Sequence, residues 1–433
     1  MEKVSTQNDF DTSPLGGFEL TEEMSRAEAY IQAGRNVFLT GGAGVGKSTF
    51  IKYLRDKGLN FVFLAPTGLI ASNGVVSGST LHSFFKIPFG LADTRSLKEM
   101  SDFNLKLLRA SDCVIIDEVS MVRSDTFHYV DYAMRNAMRN DTPFGGKQVI
   151  LIGDLFQLPP VVSSLAERQA LEHFHKGKYF FQTTSFFYSQ FVIVELTKVF
   201  RQTDQVFIDV LNKIKTGTAS QEDLDLINQN VGKKSEGVIL TPTNKVVDSY
   251  NDSELMMLSG DYEHYEAVVT GDVDFKNTRL QSKLTLKEGC KIMALVNSDG
   301  YQNGTIGYYR GISGNGELIM ETLEGNVVMI PKLIWHNTKK QFDQAKEEFH
   351  ETAIGSIQQY PVTLAYASSI HKSQGMTFDC MLFDIGNGVF DSGQLYVALS
   401  RCKSLEGLSL AKPITLSAIM VDKVIVDFYK NNK

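Results

Sequence analysis

The sequence predicts an α/β protein with two parallel sheets and a small β-rich insertion in the second. Three observations lead there. An apolar run, Val37–Thr40, enters Gly41-Gly-Ala-Gly-Val-Gly-Lys-Ser48, and a helical stretch, Ser48–Gly58, leaves it. Strand, glycine-rich loop and helix in this order make a phosphate loop. Further apolar runs alternate with helical stretches, the pattern of buried parallel strands joined by crossover helices. Between about 261 and 359 the runs shorten and glycine turns separate them, as in a small β-barrel.

In chain order, a polar leader, Met1–Ser25, runs into a first helix, Glu22–Ala33. Val37–Thr40 and Phe61–Ala65 are strands, the second ending in Pro66-Thr-Gly68. Ser77–Thr94 is small, polar and aromatic by turns and reads as an excursion from the sheet. Cys113-Val-Ile-Ile-Asp-Glu118 and Gln148-Val-Ile-Leu-Ile-Gly-Asp154 are buried strands. Together these define a first domain, 1–190. Phe191–Leu196, Gly237–Pro242, Pro361–Ala367, Cys380–Ile385 and Leu408–Ala411 are assigned to a second sheet, built from 191–260 and 360–433. The insertion, 261–359, carries the runs Lys291–Val296, Thr305–Tyr309, Glu317–Glu321 and Val327–Ile330, then a polar helix, Gln341–Thr352.

Composition narrows the function classes. The chain has 433 residues, 43% hydrophobic and 21% charged, as in ordinary globular proteins. It contains no apolar run long enough to span a membrane. Its N-terminus has neither a signal-peptide nor a transit-peptide pattern, so a cytoplasmic protein without membrane contact is expected. Cys113, Cys290, Cys380 and Cys402 form no C-x-x-C pair, which argues against structural zinc, iron–sulfur clusters and a disulfide framework. Cys113 and Cys380 lie in apolar runs and read as small core residues. A net charge of −7 argues against strong non-specific nucleic-acid binding but leaves room for a narrow basic groove.

The nucleotide-binding set is Gly42, Gly44, Val45, Gly46, Lys47, Ser48 and Thr49. Glycines let backbone N–H groups face phosphate oxygens, and the following helix N-terminus adds partial positive charge. Lys47 suits the β- and γ-phosphates, and Ser48 suits Mg²⁺. Asp117 and Glu118 end an apolar strand downstream: one carboxylate for the Mg²⁺ shell, the next to orient and deprotonate water. Gln157, in Gly153-Asp-Leu-Phe-Gln-Leu-Pro-Pro160, reads equally well as a γ-phosphate sensor or as part of a proline-ended loop. A second domain facing ATP should add permanent positive charge, and Arg201 and Arg401 are placed for it. Phe84 and Phe85 suit base stacking. For at least one of them core packing is as good an account.

The ordered set GGAGVGKS, FLAPTGLIA, STLHSFF, IIDEVSM, GDLFQLPP, VFRQ, LAYASSIHKSQGMTFD and QLYVALSR resembles the motif series of superfamily 1 helicases, most closely the PIF (petite-integration-frequency) family of DNA helicases. The resemblance spans about Asn36–Leu410, and Glu195–Gly217 is similar to that family's own signature. It implies two RecA-like domains, a Src-homology-3-like insertion and a strand-splitting wedge at about 77–94. ATP and Mg²⁺ are the implied cofactors. It implies the phosphate role for Lys47, Mg²⁺ for Ser48 and Asp117, the base for Glu118, the γ-phosphate sensor for Gln157, and arginine fingers for Arg201 and Arg401. Pro66, Thr67, Ser79, Thr80, His82, His371 and Ser373 fall in motifs that touch single-stranded DNA. The implied activity is 5′-to-3′ unwinding by a bacterial-type monomer, on forked duplex and G-quadruplex DNA, in repair, recombination and telomere-type maintenance. One position departs: Met24 stands near the place of the family's adenine-reading glutamine, which leaves the nucleotide base open. A RecD-like helicase and a DNA-stimulated clamp ATPase remain alternatives. So does a GTPase, since Asn244-Lys-Val-Val-Asp248 approximates a guanine-reading N-K-x-D.

Overall fold

The computed structural model describes residues 20–66, 78–88, 90–202, 204–235, 237–271, 273, 280–296, 298, 300–301, 304–343 and 348–432, with only the backbone described between 336 and 354. The first sheet contains β1 (Val37–Gly41), β2 (Phe61–Ala65), β3 (Ser79–Thr80), β4 (Cys113–Ile116), β5 (Gln148–Gly153) and β6 (Val192–Leu196), in the order β3-β2-β4-β5-β1-β6. All its pairings are parallel. Its central strands are almost wholly apolar because both faces are covered. In β4, Val114 and Ile116 join one core, while Cys113 and Ile115 join the core on the opposite face. β5 repeats the alternation, with Val149 and Leu151 on the first face and Ile150 and Ile152 on the second.

β6 corrects the sequence reading. Val192–Leu196 pairs with β1, from Val37↔Val192 to Gly41↔Leu196, and so closes the first sheet instead of opening the second. An apolar strand matches either sheet by pattern. Which neighbour it finds is a long-range choice.

The second sheet holds β7 (Val238–Thr241) and, beyond the insertion, β18 (Ala367–Ser369), β19 (Met381–Phe383) and β20 (Leu408–Leu410), all parallel, in the order β18-β7-β19-β20. Leu240, Met381 and Leu408 share a single apolar core with Phe38 and Leu151 of the first sheet. The two sheets are therefore packed as one body.

The insertion begins with β8 (Glu263–Glu266), β9 (Val268–Gly271), β10 (Lys283–Leu286) and β11 (Lys291–Ala294). β12 (Ile306–Ile312), β13 (Leu318–Thr322), β14 (Val327–Ile330), β15 (Leu333–Asp343), β16 (Glu348–Gln359) and β17 (Val362–Leu364) complete it. Among the described residues these form three antiparallel sheets, β14-β13-β12-β11-β17, β15-β16-β9 and β10-β8, and no pairing closes a barrel.

Two more expectations change here. The polar helix at Gln341–Thr352 is replaced by the β15–β16 hairpin, paired from Leu333↔Gln359 to Asp343↔Glu348, with 344–347 outside the described residues. Local helix propensity is a weak prior, and β16 also gains a ladder with β9. The run Pro361–Ala367 serves two sheets: β17 pairs antiparallel with β11, and β18 pairs parallel with β7. Cys380, expected inside, is exposed.

The last helix, Lys423–Asn431, leaves the second sheet and packs on the first. Phe428 lies 4.3 Å from Phe181 and 6.3 Å from Phe38, ring to ring. The Tyr429 hydroxyl is 2.5 Å from Thr40 Oγ1, one residue before the phosphate loop.

Candidate active site

The phosphate loop is held open by steric necessity. At Gly44 (φ +77°) an added Cβ would stand 2.3 Å from Arg201 Cβ, and at Gly41 (φ +149°) one would stand 2.5 Å from the Leu196 carbonyl oxygen. Only glycine lets β6 and the residues after it approach this closely. Phe200 N donates to Gly44 O at 2.8 Å, which fixes Arg201 beside the loop. Arg201 thus comes from the segment following the first sheet's edge strand, not from the second sheet.

The loop feeds the helix Lys47–Asp56, whose N-terminus carries Ser48 and Thr49. Lys47 Nζ donates to the carbonyls of Gly41 (2.8 Å) and Gly42 (2.9 Å). Burial pushes its ammonium down, opposed by the nearby carboxylates of Asp154, Glu118 and Asp117. Asp117 and Glu118 sit just past β4. Burial, then the charge of Glu118, pushes the Asp117 carboxyl up to about 7, and burial raises Glu118 as well. Glu118 adopts φ +46°, unusual for a non-glycine residue, and its N–H donates to Asp117 Oδ1 at 2.8 Å. Strain of about 1–3 kcal/mol in such a conformation persists only where the surroundings enforce it. Glu118 Oε2 is buried without a hydrogen-bond partner.

From the second sheet's side comes the helix Gln394–Leu399, buried throughout. Arg401, just after it, is 2% exposed and donates from Nε to Val397 O (3.0 Å), from Nη1 to Met376 O (3.3 Å) and from Nη2 to Ser400 Oγ (3.1 Å). Burial, then the like charge of Arg201, lowers it to about 9, while Glu118 acts in the opposite sense. Arg201 Nη1 reaches Ser400 O at 3.4 Å. Two arginines and two carboxylates therefore converge on one phosphate loop. Gln157, also buried, donates from Nε2 to Asp154 Oδ2 at 3.3 Å.

Three contacts were not legible in advance. Tyr396 OH accepts the Ala43 N–H at 2.9 Å, joining the helix of the second sheet to the phosphate loop. Gln202 Nε2 donates to Ser400 O (3.0 Å) and Cys402 O (3.1 Å). Asp154 is fully buried and accepts from Phe156 N at 3.1 Å. Polar side chains in otherwise apolar stretches were the only local signal.

A divalent cation fits the donor set. Ser48 and Asp117 offer hard oxygens, and among the described residues no three His, Cys, Asp or Glu side chains gather to hold a metal. Most of a Mg²⁺ shell then falls to water and phosphate, as is usual for this ion.

The strand-facing set is less assembled. Ser79 and Thr80 pair with Leu64 and Ala65, which brings them beside Pro66 at the carboxyl end of β2. His371 and Ser373 follow the carboxyl end of β18. Ligands of open α/β sheets bind outside such ends. Yet Thr80 Oγ1 caps the next helix by accepting Ser83 N at 3.1 Å, and Ser373, fully buried, donates to Ile370 O at 2.8 Å. Burial lowers both the His82 and the His371 imidazole. Thr67 lies outside the described residues. Phe84 and Phe85 are both core residues, edge to face at 5.0 Å, so neither is open for base stacking here. Asn244–Asp248, the guanine-reading candidate, opens the helix Asn244–Met257 that follows β7.

A profile described as PIF1-like helicase matches residues 22–225. The chain is 32% identical over 432 residues to the ATP-dependent DNA helicase Pif1 of Bdellovibrio bacteriovorus, covering 96% of this chain and 93% of that one. It spans less than two thirds of the vertebrate proteins of that description, 62% for the mouse one. In structure it is similar to Bacteroides sp. Pif1 in complex with ADP-AlF4, with TM-score 0.84, 37% identity, and coverage of 96% and 97% of the two chains. It is also similar to Bacteroides Pif1 bound to single-stranded DNA, at TM-score 0.73, with the same identity and coverages.

Proposed function

The chain belongs to the PIF1-like helicase family, and from that premise we propose that it is an ATP-dependent DNA helicase moving 5′ to 3′ on single-stranded DNA. The observation that carries the reading is the convergence of Lys47, Asp117, Glu118, Arg201 and Arg401 on one phosphate loop from both sheets. The relatives are named as ATP-dependent DNA helicases, and a similar chain has been seen with single-stranded DNA.

In this reading the loop N–H groups and Lys47 hold the phosphates of ATP. Lys47 exchanges its two carbonyl contacts for phosphate oxygens. Ser48 and Asp117 hold Mg²⁺, which neutralises phosphate charge when bound. Glu118, raised by burial and carrying a free acceptor, takes the proton of the attacking water. Gln157 orients that water. Arg201 and Arg401 stabilise charge on the transferred phosphoryl group, and their fixed carbonyl contacts pre-organise them for it. Met24 is buried beside Gly46, so this position offers no amide to read adenine.

Since Tyr396 reaches the loop from the second sheet's side and Arg401 follows the same helix, nucleotide in the cleft is coupled to how the sheets sit, and each cycle shifts a population between closed and open forms. The strand then runs past Pro66, Ser79, Thr80 and His82 on one sheet and His371 and Ser373 on the other. The excursion at 77–94, anchored by Leu81, Phe84 and Phe85 in the core, meets the duplex. One base-pair step costs about 1.4 kcal/mol, within reach of one ATP.

The test is strand displacement with purified protein. A duplex with a 5′ tail should be unwound in the presence of ATP and Mg²⁺, and one with only a 3′ tail should not. DNA-stimulated hydrolysis without displacement of either substrate would instead identify a clamp ATPase.

A further inference from the structure

Lys215 is a buried cation with no role in the chemistry above. It sits in the last turn of the helix Gln205–Thr216 and is 8% exposed. Lysine is almost never buried this deeply unless paired, because removing an ammonium from water costs several kcal/mol. Its nearest carboxylate, Asp154, is at 3.9 Å, beyond hydrogen-bond reach. Both oxygens of Asp154 are already engaged, Oδ1 by Phe156 N at 3.1 Å and Oδ2 by Gln157 Nε2 at 3.3 Å. The face of the Phe156 ring, 5.1 Å from Lys215 Nζ, supplies a cation–π contact. The ammonium is compensated in part, and among the described residues no carboxylate stands at hydrogen-bonding distance from it.

Its position explains why a partly compensated charge is kept. Lys215 Nζ lies 3.8 Å from where a Cβ on Gly42 would stand, and Tyr396 OH lies 3.1 Å from the same point. The carbonyl of Gly42 accepts from Lys47. Two lysine ammoniums therefore flank one residue of the phosphate loop, and the charge of Lys215 is close enough to disfavour the ammonium of Lys47. Two cations held together in a buried cleft repel each other until an anion arrives between them. Gly42 is at the loop's beginning, before the helix whose N-terminus takes the inner phosphates, and Lys215 shares Asp154 with Gln157.

We propose that Lys215 is a second phosphate-binding lysine of the cleft, which contacts the terminal phosphate of a nucleoside triphosphate beside Gly42 and so lets the site distinguish triphosphate from diphosphate. This rests on the reading of the cleft as an ATP site. Binding moves the ammonium from a shared carboxylate to a phosphate oxygen, and leaves Asp154 to Gln157.

The experiment compares equilibrium affinities for ADP and for a non-hydrolysable β,γ-imido ATP analogue, each with Mg²⁺, in the full chain. K215M keeps the length of the side chain and removes the charge. Its affinity for the triphosphate analogue should fall at least about tenfold, the size of one charge-assisted hydrogen bond, while ADP affinity stays within about twofold. K215R should recover part of the loss. K215Q serves the same comparison should K215M fail to fold. Equal losses for both nucleotides, or no loss, would mean that Lys215 only supports the helix, and would overturn the proposal while leaving the ATP site intact. Wild-type protein that binds neither nucleotide would overturn the ATP reading itself.

Discussion

The nucleotide cleft and the strand-facing edge are built from motifs of equal clarity, yet they differ in how finished they are. In the cleft, the cations of the phosphate-loop motif and the two arginines already have their places: Lys47 on two loop carbonyls, Arg401 on two carbonyls and a serine, Arg201 against Ser400. Along the strand-facing edge the hydroxyls are engaged locally, Thr80 accepting at a helix cap and Ser373 donating to a backbone carbonyl. The difference follows from what each region has to recognise. A compact, highly charged phosphate demands fixed dipoles, and these are assembled before it binds. A flexible strand is gripped and released in every cycle, so contacts there must be made and broken cheaply.

The largest effects are expected in the finished region. Lys47→Ala and Arg401→Ala should each lower DNA-stimulated kcat by about 10³-fold or more, with single-strand affinity changed only a few-fold. Glu118→Gln should lose about 10²- to 10⁴-fold while still binding nucleotide, because it removes a base and no phosphate contact. Near-normal turnover in any of the three would remove the contrast with the strand-facing edge.

Gly44→Ala comes next. The new methyl would collide with the backbone-proximal part of Arg201 and force a left-handed conformation on alanine. A displacement of about 1 Å at the arginine is enough for roughly a 10²-fold loss in kcat, with Tm lowered by a few degrees from the strained backbone. An active Gly44→Ala protein would show that the closeness of Arg201 to the loop is not needed for turnover.

Effects at the strand-facing edge should be smaller. His82→Asn and His371→Asn should each weaken single-stranded DNA binding by only a few-fold, about 0.5–1.5 kcal/mol for one neutral hydrogen bond. Burial holds both imidazoles below the usual histidine value, so at pH 7.5 neither is a cation and neither substitution should change the salt slope of binding. A shallower slope in either variant would mean that DNA protonates the histidine on binding.

The smallest effect lies outside both regions. Burial lowers the imidazoles of His128 and His175, whose rings are 5.1 Å apart. Just below pH 6.5 the unfolded chain therefore holds more protons than the folded one. Their contribution to stability is full above about pH 6.5 and is lost as pH falls through the lowered native values. His175→Gln should lessen the drop in Tm between pH 7.5 and 5.5 by a few degrees and leave ATPase activity untouched. A Tm that falls as steeply in the variant would place the acid sensitivity elsewhere.

By itself, the sequence determined what depends on short-range geometry. Gly41–Ser48 needed only its own glycines and the helix behind them, and β4 and β5 needed only continuous apolar runs, so both were legible residue by residue. The small strands β11 to β14 announced themselves by the glycine turns between them. What stayed hidden were choices of partner. Val192–Leu196 carries no mark saying which sheet it joins, Pro361–Ala367 divides between two sheets within one apolar run, and the ends of Gln341–Thr352 pair with each other across the β15–β16 ladder. The same holds in the site. The motifs identified Arg201 and Arg401, but only the folded chain put Arg201 on the first sheet's edge and tied Tyr396 to Ala43, Tyr429 to Thr40 and Lys215 to the face of Phe156. Local conformation is set by neighbours in sequence. Burial, charge pairing and strand partnership are set by residues tens to hundreds of positions away, and only the tertiary structure decides which of those meet.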